Sequence, residues 1–261
     1  MNNEIISAVK GIAREELPHR FANVARQHKQ DGSFLTEADL AVQTRIESLL
    51  AKEFPAIAFL GEEMTTEEQQ AVLENDEGVW ILDPLDGTSN FSAGIPYYAV
   101  SLAFIKQGEI EWGMVYDPER NECFTASHSE GAFLNNEPLL QQEVGVVIEK
   151  STAVIDFKRL DSEMAGCIAT NPPYSSQRSF GGVALDWCWL AAGRFHLYLH
   201  GQQNIWDYAA GHLVFSEVGG SSCTLIGERV FDFSLKTRSA VAARDEQLFK
   251  QWCAYLDIES K

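Results

Sequence analysis

The chain has 261 residues, of which 45% are hydrophobic and 22% are charged. It can therefore form one large or two small globular domains and is not expected to be disordered overall. Its 20 Lys and Arg against 38 Asp and Glu give a formal net charge of −18, which argues against nucleic acid or a membrane surface as a partner, because phosphate groups attract basic surfaces. No apolar run is long enough for a transmembrane helix, and residues 1–10 lack the pattern of a signal peptide.

The five cysteines are scattered along the chain and include no Cys-x-x-Cys pair. This pattern predicts free thiols rather than a disulfide framework or a zinc site, and it favours a cytoplasmic protein. They are Cys123, Cys167, Cys188, Cys223 and Cys253.

Two amphipathic helices are predicted near the start of the chain. Apolar residues recur at three- and four-residue spacing between Ile5 and Ala13, which predicts the first helix. The second is expected from Thr36 to Phe54, after the turn-forming Asp31-Gly32-Ser33. Its apolar stripe would consist of Leu40, Ile46, Leu49, Leu50 and Phe54.

Strand patterns dominate the middle of the chain. The apolar run Val79–Leu82 is typical of a strand buried on both faces. Three further runs are separated by turn signals at Lys106–Glu109 and Asp117–Asn121, so we expect an antiparallel meander. These runs are Tyr98–Ile105, Ile110–Tyr116 and Cys123–Ser127.

After about residue 145, predicted strands and helices alternate, which is typical of α/β structure. The strands are Thr152–Ile155, Phe195–Leu199 and Ser239–Ala243, and the helices are Ala184–Ala192, Trp206–Glu217 and Asp245–Leu256. The predicted fold class is therefore mixed, with an α+β subdomain over residues 1–147 and an α/β subdomain over residues 148–261. No flexible linker separates the two, so we expect them to pack firmly together.

The segment Trp80–Phe91 is the most informative for chemistry. The four apolar residues Val79–Leu82 lead into Asp83-Pro84-Leu85-Asp86-Gly87, and Pro84 should hold Asp83 in an extended conformation. Thr88 and Ser89 could then cap a helix. Two carboxylates followed by backbone N–H groups can hold a hard cation and a phosphate, although the same pattern is also common in surface turns.

Three other acidic segments allow a structural and a functional interpretation. Gly61-Glu62-Glu63 follows an apolar run but could be a solvated loop. Thr36 and Asp39 have the spacing of a helix capping box. Asp207 lies in the first turn of a predicted helix, where a carboxylate suits the helix dipole.

Taken in order, these segments resemble the inositol monophosphatase family. The matching segments are Thr36…Asp39, Gly61-Glu62-Glu63, Trp80–Phe91, and Trp206–Gly211 followed by Gly219-Gly220. The resemblance includes Gly94–Ser101, Gly131–Asn135 and Arg178–Gly181, and it covers nearly the whole chain from about residue 30. It implies a layered αβαβα sandwich of the sugar-phosphatase type, a homodimer, inhibition by Li⁺, and hydrolysis of a small phosphate monoester with two or three Mg²⁺ ions.

The resemblance also implies roles for individual residues. The Mg²⁺ ligands would be Glu62, Asp83, the carbonyl of Leu85, Asp86 and Asp207, with Asp83 bridging two ions. Asp39 and Thr88 would orient or deprotonate the attacking water. Backbone N–H groups at Gly87 and Thr88 would hold the phosphate, while Asp86 and Asp207 would also border the substrate.

The leaving-group side departs from the family pattern. Inositol-specific members place a Glu seven residues before the Asp of the Trp-Asp pair, and here that position is His200. Gly182 and Val183 stand where the family often has a small hydroxyl residue and Ala. We therefore expect Gly182, Val183 and His200 to border the substrate, although His200 could instead be a structural histidine. These departures put myo-inositol 1-phosphate specifically in doubt as the substrate.

Several functions stay open at this stage. An inositol monophosphate-like polyol or sugar phosphate is the leading substrate class. Related enzymes act on fructose 1,6-bisphosphate, histidinol phosphate or 3′-phosphoadenosine 5′-phosphate. A regulatory protein that keeps the fold to bind a partner is a candidate of another class, as is a cation- or polyphosphate-sensing module.

Overall fold

The long elements of the fold form where the sequence periodicity predicts them. The computed structural model describes residues 3–21, 27–28, 34–73, 75, 77–140 and 145–259, with the backbone alone at 27–28 and 34–35. The helices are α1 Asn3–Glu16, α2 Glu37–Glu53, α3 Thr66–Val72, α4 Thr88–Ala93, α5 Ser162–Thr170, α6 Val183–Ala191, α7 Ile205–Glu217 and α8 Glu246–Tyr255.

The strands form three sheets. They are β1 Gln27–His28, β2 Phe34–Leu35, β3 Ala58–Gly61, β4 Val79–Asp86, β5 Ala99–Lys106, β6 Glu109–Asp117, β7 Glu122–Ser127, β8 Gly131–Leu134, β9 Glu137–Pro138, β10 Thr152–Asp156, β11 Ser176–Arg178, β12 Leu197–Gln203, β13 Ser221–Cys223 and β14 Arg238–Ala243. Among the described residues, β1 and β2 pair only with each other.

The first large sheet has seven strands in the order β3-β4-β5-β6-β7-β8-β9. β3 and β4 are parallel, whereas the later neighbours are antiparallel, which confirms the predicted meander. β4 is buried along its whole length, as its continuous apolar run predicts.

The second large sheet has the order β11-β10-β12-β14-β13. β10 is parallel to both β11 and β12, but β14 is antiparallel to β12 and β13. The predicted α/β half is therefore only partly parallel. No helix lies between β13 and β14, and a parallel pair needs a long crossover connection.

Three apolar cores hold five layers of helices and sheets together. One core joins α1 and α2 to the first sheet through residues such as Val9, Val42 and Trp80. The central core places α6 and α7 between the two sheets, and the third joins the outer face of the second sheet to α5 and α8. The expected αβαβα sandwich is confirmed by this layering.

The predicted stripe of α2 is wrong at one position. Leu40 is 47% exposed, while the buried face consists of Ala38, Val42, Ile46 and Leu50 together with the polar Asp39 and Gln43. The buried apolar residues recur every four positions from Ala38 to Leu50. Leu40 is not part of this repeat and therefore lies on the exposed side of the helix. The predicted turn at Asp31-Gly32-Ser33 lies outside the described residues.

Other predictions concern the chain as a whole. All five cysteines are free, and the Sγ atoms of Cys223 and Cys253 lie 4.0 Å apart. Over the described ranges, no helix combines the length and apolar character needed to cross a membrane. The last strand of the first large sheet ends at residue 138, and the first strand of the second large sheet begins at residue 152. Two helices of the second half, α6 and α7, nevertheless pack on the first sheet. The subdomain boundary at residue 147 stays a prediction.

Candidate active site

The end of β4 and the turn that follows it form one side of a cavity of about 170 Å³. β4 continues through Pro84 to Asp86, with an irregular register between Asp83 and Asp86. Gly87 follows with a φ of 89°, and a Cβ atom there would lie 2.8 Å from the carbonyl oxygen of Tyr97. Only glycine fits this turn, which brings Thr88 to the start of α4.

Four carboxylates line this cavity together. Glu62 directly follows β3, Asp83 and Asp86 lie on β4, and Asp207 lies in the first turn of α7. Because β3 and β4 are parallel neighbours, their carboxyl ends meet at one edge of the sheet. The backbone N–H of Glu62 donates to the carbonyl of Leu82 at 3.1 Å, which fixes this edge.

Burial and nearby negative charge make it hard for the three aspartates to ionise together. Burial raises the pKa of Asp83 well above its usual range, and the charges of Glu62, Asp86 and Asp207 raise it further. Burial raises the pKa of Asp86 to about 7, although backbone N–H groups oppose this shift. Burial and the charge of Glu62 also raise the pKa of Asp207. A bound cation would favour the ionised forms.

The donor set fits Mg²⁺ in its chemistry, because it consists of carboxylate oxygens and the carbonyl of Leu85. In the part of the chain that the structure describes, no three His, Cys, Asp or Glu side chains form a preformed metal cage. Hydrogen bonds already use some of these oxygens. Leu85 N donates to Asp83 Oδ1 at 2.9 Å, and Thr88 Oγ1 donates to the Leu85 carbonyl at 3.0 Å. Cation binding would therefore require some side chains to reorient.

Asp39 takes part in the capping box of α2 and also contacts Thr88. The capping box at the start of α2 is present, with Thr36 N donating to Asp39 Oδ2 at 2.8 Å. Its other oxygen, Oδ1, accepts a hydrogen bond from Thr88 Oγ1 at 3.2 Å. Asp39 is fully buried and lies behind Thr88, whereas Thr88 itself lines the cavity.

The expected helix cap at Thr88 or Ser89 is wrong. Gly87 is the N-cap of α4, and no side chain caps this helix. The left-handed conformation of Gly87 already sets the turn, so the hydroxyl of Thr88 is directed to Asp39 and Leu85 instead.

The start of α6 borders the cavity beside Asp86. Val183 N and Ala184 N donate to the two oxygens of Asp86 at 3.0 and 2.9 Å. At Gly182, a Cβ atom would lie 3.1 Å from the ring of Tyr97 and 3.2 Å from Asp86 Oδ2. Gly182 and Val183 thus border the cavity, although the Val183 N–H already has Asp86 as its acceptor. Their contact with a substrate stays a prediction.

His200 lies on β12 and lines the cavity, but it is only 2% exposed. Its Nε2 atom lies 3.1 Å from Asp156 Oδ2 on the neighbouring strand β10. Burial lowers the pKa of His200, although the hydrogen bond and charge of Asp156 oppose this effect. The structure therefore brings His200 to the cavity wall as a partner of Asp156.

Sequence reasoning missed several residues of this cavity. Asp156, Arg159 and Asp186 also line it, and Asp186 accepts a hydrogen bond from the hydroxyl of Tyr97 at 2.7 Å. Asp156 follows the predicted strand Thr152–Ile155 just as Asp83 follows Val79–Leu82. A carboxylate directly after a buried strand was therefore the signal that could have identified Asp156.

Two glutamines hold the loop that carries Glu62. Gln69 Nε2 of α3 donates to the carbonyl of Gly61 at 2.9 Å, and Gln43 Oε1 of α2 accepts from Glu63 N at 3.2 Å. A Cβ atom on Gly61 would lie 2.4 Å from Gln43 Oε1. The loop between β3 and α3 is therefore fixed from both sides.

The five-layer sandwich is the fold of a known class of enzymes, the phosphatases of the inositol monophosphatase type. A model of the inositol monophosphatase family matches residues 1–260, and the chain belongs to that family. The resemblance seen in the sequence is thereby confirmed. Family membership makes the chain a phosphomonoesterase for small phosphate esters.

Individual relatives support the same assignment. The inositol-1-monophosphatase of Caulobacter vibrioides is 33% identical over 241 residues, which cover 84% of this chain and 85% of the relative. The Nus factor SuhB of Pasteurella multocida is 34% identical over 204 residues, covering 76% and 74%. The crystal structure of extragenic suppressor protein suhB from Bartonella henselae superimposes with a TM-score of 0.83 at 29% identity, covering 97% of each chain.

Proposed function

We propose that the protein hydrolyses a small phosphate monoester, a polyol or sugar phosphate, in a reaction that depends on Mg²⁺. The observation that carries this proposal is the shared cavity of Glu62, Asp83, Asp86 and Asp207, where burial and like charge raise the pKa values of the three aspartates. Such a set of oxygen donors needs cations to stay ionised.

Two or three Mg²⁺ ions are expected, and the resemblance distributes the ligands between them. Asp83 would bridge two ions, Glu62 and the carbonyl of Leu85 would complete one site, and Asp86 and Asp207 the other. When bound, Mg²⁺ would lower the pKa of a coordinated water and offset negative charge on the phosphate. The resemblance to the family also implies inhibition by Li⁺.

The protein's own groups would position the reactants. The Asp39–Thr88 pair would orient the attacking water and accept its proton, because the Thr88 hydroxyl lies in the cavity wall and Asp39 backs it at 3.2 Å. Backbone N–H groups at Gly87 and Thr88 would donate to the phosphate. Phosphoryl transfer depends mainly on such positioning and on electrostatic stabilisation.

The leaving group would lie against Gly182, Val183 and His200. In inositol-specific enzymes, the resemblance places a Glu at the position of His200. Here His200 contacts Asp156 instead, so this wall of the cavity differs from theirs. Fructose 1,6-bisphosphate, histidinol phosphate and 3′-phosphoadenosine 5′-phosphate are therefore alternatives to an inositol monophosphate.

The decisive experiment is phosphate release with Mg²⁺ across these esters and glycerol 2-phosphate. Asp83→Asn should lower kcat by roughly 10²- to 10³-fold or more, since a preorganised electrostatic contact is lost. Its metal-free fold should be as stable as the wild type or more stable, because a buried repulsive charge is removed. Chelation of divalent metal with EDTA should abolish release by the wild type.

The matched control is Asp245→Asn. Asp245 caps α8 through a hydrogen bond from Leu248 N at 2.8 Å, and Asn caps a helix about as well, so activity should stay at the wild-type level. Release that persists in EDTA, or that Asp83→Asn leaves intact, would contradict the proposal.

A second candidate function is a partner-binding role, and the name Nus factor SuhB of a relative at 34% identity favours it. The two functions can coexist and are separable. Asp83→Asn should keep a partner function and lose hydrolysis.

We also propose that the protein is a homodimer, for which sedimentation equilibrium is the test.

A further inference from the structure

A single cationic side chain reaches the acidic cavity. Among the described residues that line it, Arg159 carries the one guanidinium or ammonium group, while Glu62, Asp83, Asp86, Asp156, Asp186 and Asp207 are acidic. Arg159 follows β10 in a short 3-10 helix, Phe157–Arg159, and its side chain is 45% exposed.

Asp156 holds the guanidinium from one side only. Arg159 Nη1 donates to Asp156 Oδ2, and over the described ranges this is the one hydrogen bond of the guanidinium. Asp156 is fixed in turn by Nε2 of His200 at 3.1 Å and by the backbone N–H of Lys158 at 2.9 Å. The charge of Asp156 is thereby offset, and the Nε–Nη2 edge of Arg159 keeps its donors.

The backbone of Arg159 is also fixed, by a glycine on the neighbouring strand. A Cβ atom on Gly201 would lie 1.9 Å from the carbonyl oxygen of Arg159 and 3.1 Å from Leu160 N. Only glycine permits this close approach. Arg159 is thus placed by backbone packing as well as by its ion pair.

We propose that Arg159 recognises a second anionic group on the substrate, a phosphate or a carboxylate on the leaving group. This deepens the proposed phosphatase function and rests on it. The Nε–Nη2 edge of a guanidinium presents two parallel donors, which match two oxygens of either anion. The scissile phosphate belongs at the four carboxylates, so a second anion at Arg159 would orient the ester across the cavity.

The test uses two matched pairs of substrates with Mg²⁺ present. 2-Phosphoglycerate and glycerol 2-phosphate differ by a carboxylate in place of a hydroxymethyl group. Fructose 1,6-bisphosphate and fructose 1-phosphate differ by a second phosphate. The wild type should have the higher kcat/KM for the anionic member of at least one pair, and the pair that responds identifies carboxylate or phosphate as the group recognised.

Arg159→Gln should reduce that preference roughly 10- to 100-fold, mainly through KM, and Arg159→Lys should restore part of it. Lys158→Gln removes the same charge from the adjacent exposed residue and should keep the preference. Gly201→Ala leaves the guanidinium in the chain but displaces its backbone, so it should lower the preference too. Circular dichroism establishes that each variant is folded.

The outcomes separate this inference from the function on which it rests. Phosphate release without preference in either pair overturns the role of Arg159 and leaves the phosphatase in place. Equal effects of Arg159→Gln and Lys158→Gln overturn it as well, because they would indicate a long-range charge effect. No release from any of the four esters, with Mg²⁺ shown to bind, overturns the proposed function and the inference together.

Discussion

The hydroxyl of Thr88 lies between two acceptors, Asp39 Oδ1 at 3.2 Å and the carbonyl of Leu85 at 3.0 Å. A hydroxyl has one hydrogen and can fully serve only one acceptor at a time. When the hydroxyl donates to Asp39, its oxygen can still accept a hydrogen bond from a water in the cavity that Thr88 lines. In the proposed mechanism, a proton from that water would pass through the hydroxyl to Asp39.

We expect Thr88→Val to lower kcat by roughly 10²- to 10⁴-fold, the range in which a positioned acid–base group contributes. KM should change much less, because the phosphate-binding backbone stays in place. Thr88→Ser keeps the hydroxyl and should restore most of the turnover. Steady-state kinetics at saturating Mg²⁺ measure this, and turnover near the wild-type level in Thr88→Val would exclude the proposed role.

At the scale of elements, the position of α7 depends on close packing. This helix carries Asp207 and packs against both the first sheet and α6. A Cβ atom on Gly113 of β6 would lie 2.9 Å from Cα of Ala210, and one on Gly211 would lie 2.8 Å from Cβ of Trp187. Two glycines therefore permit the approach that brings Asp207 to the cavity.

Gly113→Ala should push α7 away from β6 and destabilise the protein by about 1–3 kcal/mol, as overpacking commonly does. It should also lower kcat/KM, because Asp207 moves with the helix. The control is Gly11→Ala inside α1, where no heavy atom lies within 4 Å of the added Cβ. That change should stabilise by about 0.5–1 kcal/mol and leave activity intact; urea unfolding and kinetics measure both variants.

The long elements could be predicted because each has a full period of buried residues. α1 and the strands β4 to β7 form where their apolar patterns place them. The short elements lack such a pattern. α4 has six residues, its N-cap is the left-handed Gly87, and no side chain caps it. Its formation therefore depends on the packing around Gly87 rather than on helix propensity.

The four acidic residues on one side of the cavity were predictable from the sequence, whereas the pairing of Asp156 with His200 was not. Glu62, Asp83, Asp86 and Asp207 belong to compact motifs that a sequence displays directly. The pairing of Asp156 with His200 depends on the register between β10 and β12, which are far apart in the chain. Nothing local to either residue indicates that contact.

At the scale of the whole molecule, a half-buried histidine links stability to pH. His212 of α7 has its Nε2 atom 3.2 Å from Ser222 Oγ, and its ring packs edge-on against Trp187 at 5.1 Å between centroids. Burial lowers the pKa of His212 from 6.5 to about 4. The unfolded chain therefore takes up the proton first as the pH falls.

The contribution of His212 to stability should be fully present above about pH 6.5 and lost as the pH falls towards 4. Its full size is up to about 3 kcal/mol, with less expected because the ring is partly exposed. His212→Gln can keep a hydrogen bond to Ser222 without titrating. Urea unfolding at neutral and acid pH should show a weaker pH dependence in this variant than in the wild type or in His128→Gln, a change at an exposed histidine.

The layer of α6 and α7 between the two sheets has a consequence for the order of folding. The first sheet can pair its strands locally, since most neighbours in it are also neighbours in sequence. Asp207 reaches the cavity only when α7 docks on that sheet, more than a hundred residues along the chain from Asp83. During refolding, secondary structure should therefore return before activity, and the regain of phosphate release should time the docking of the second half onto the first.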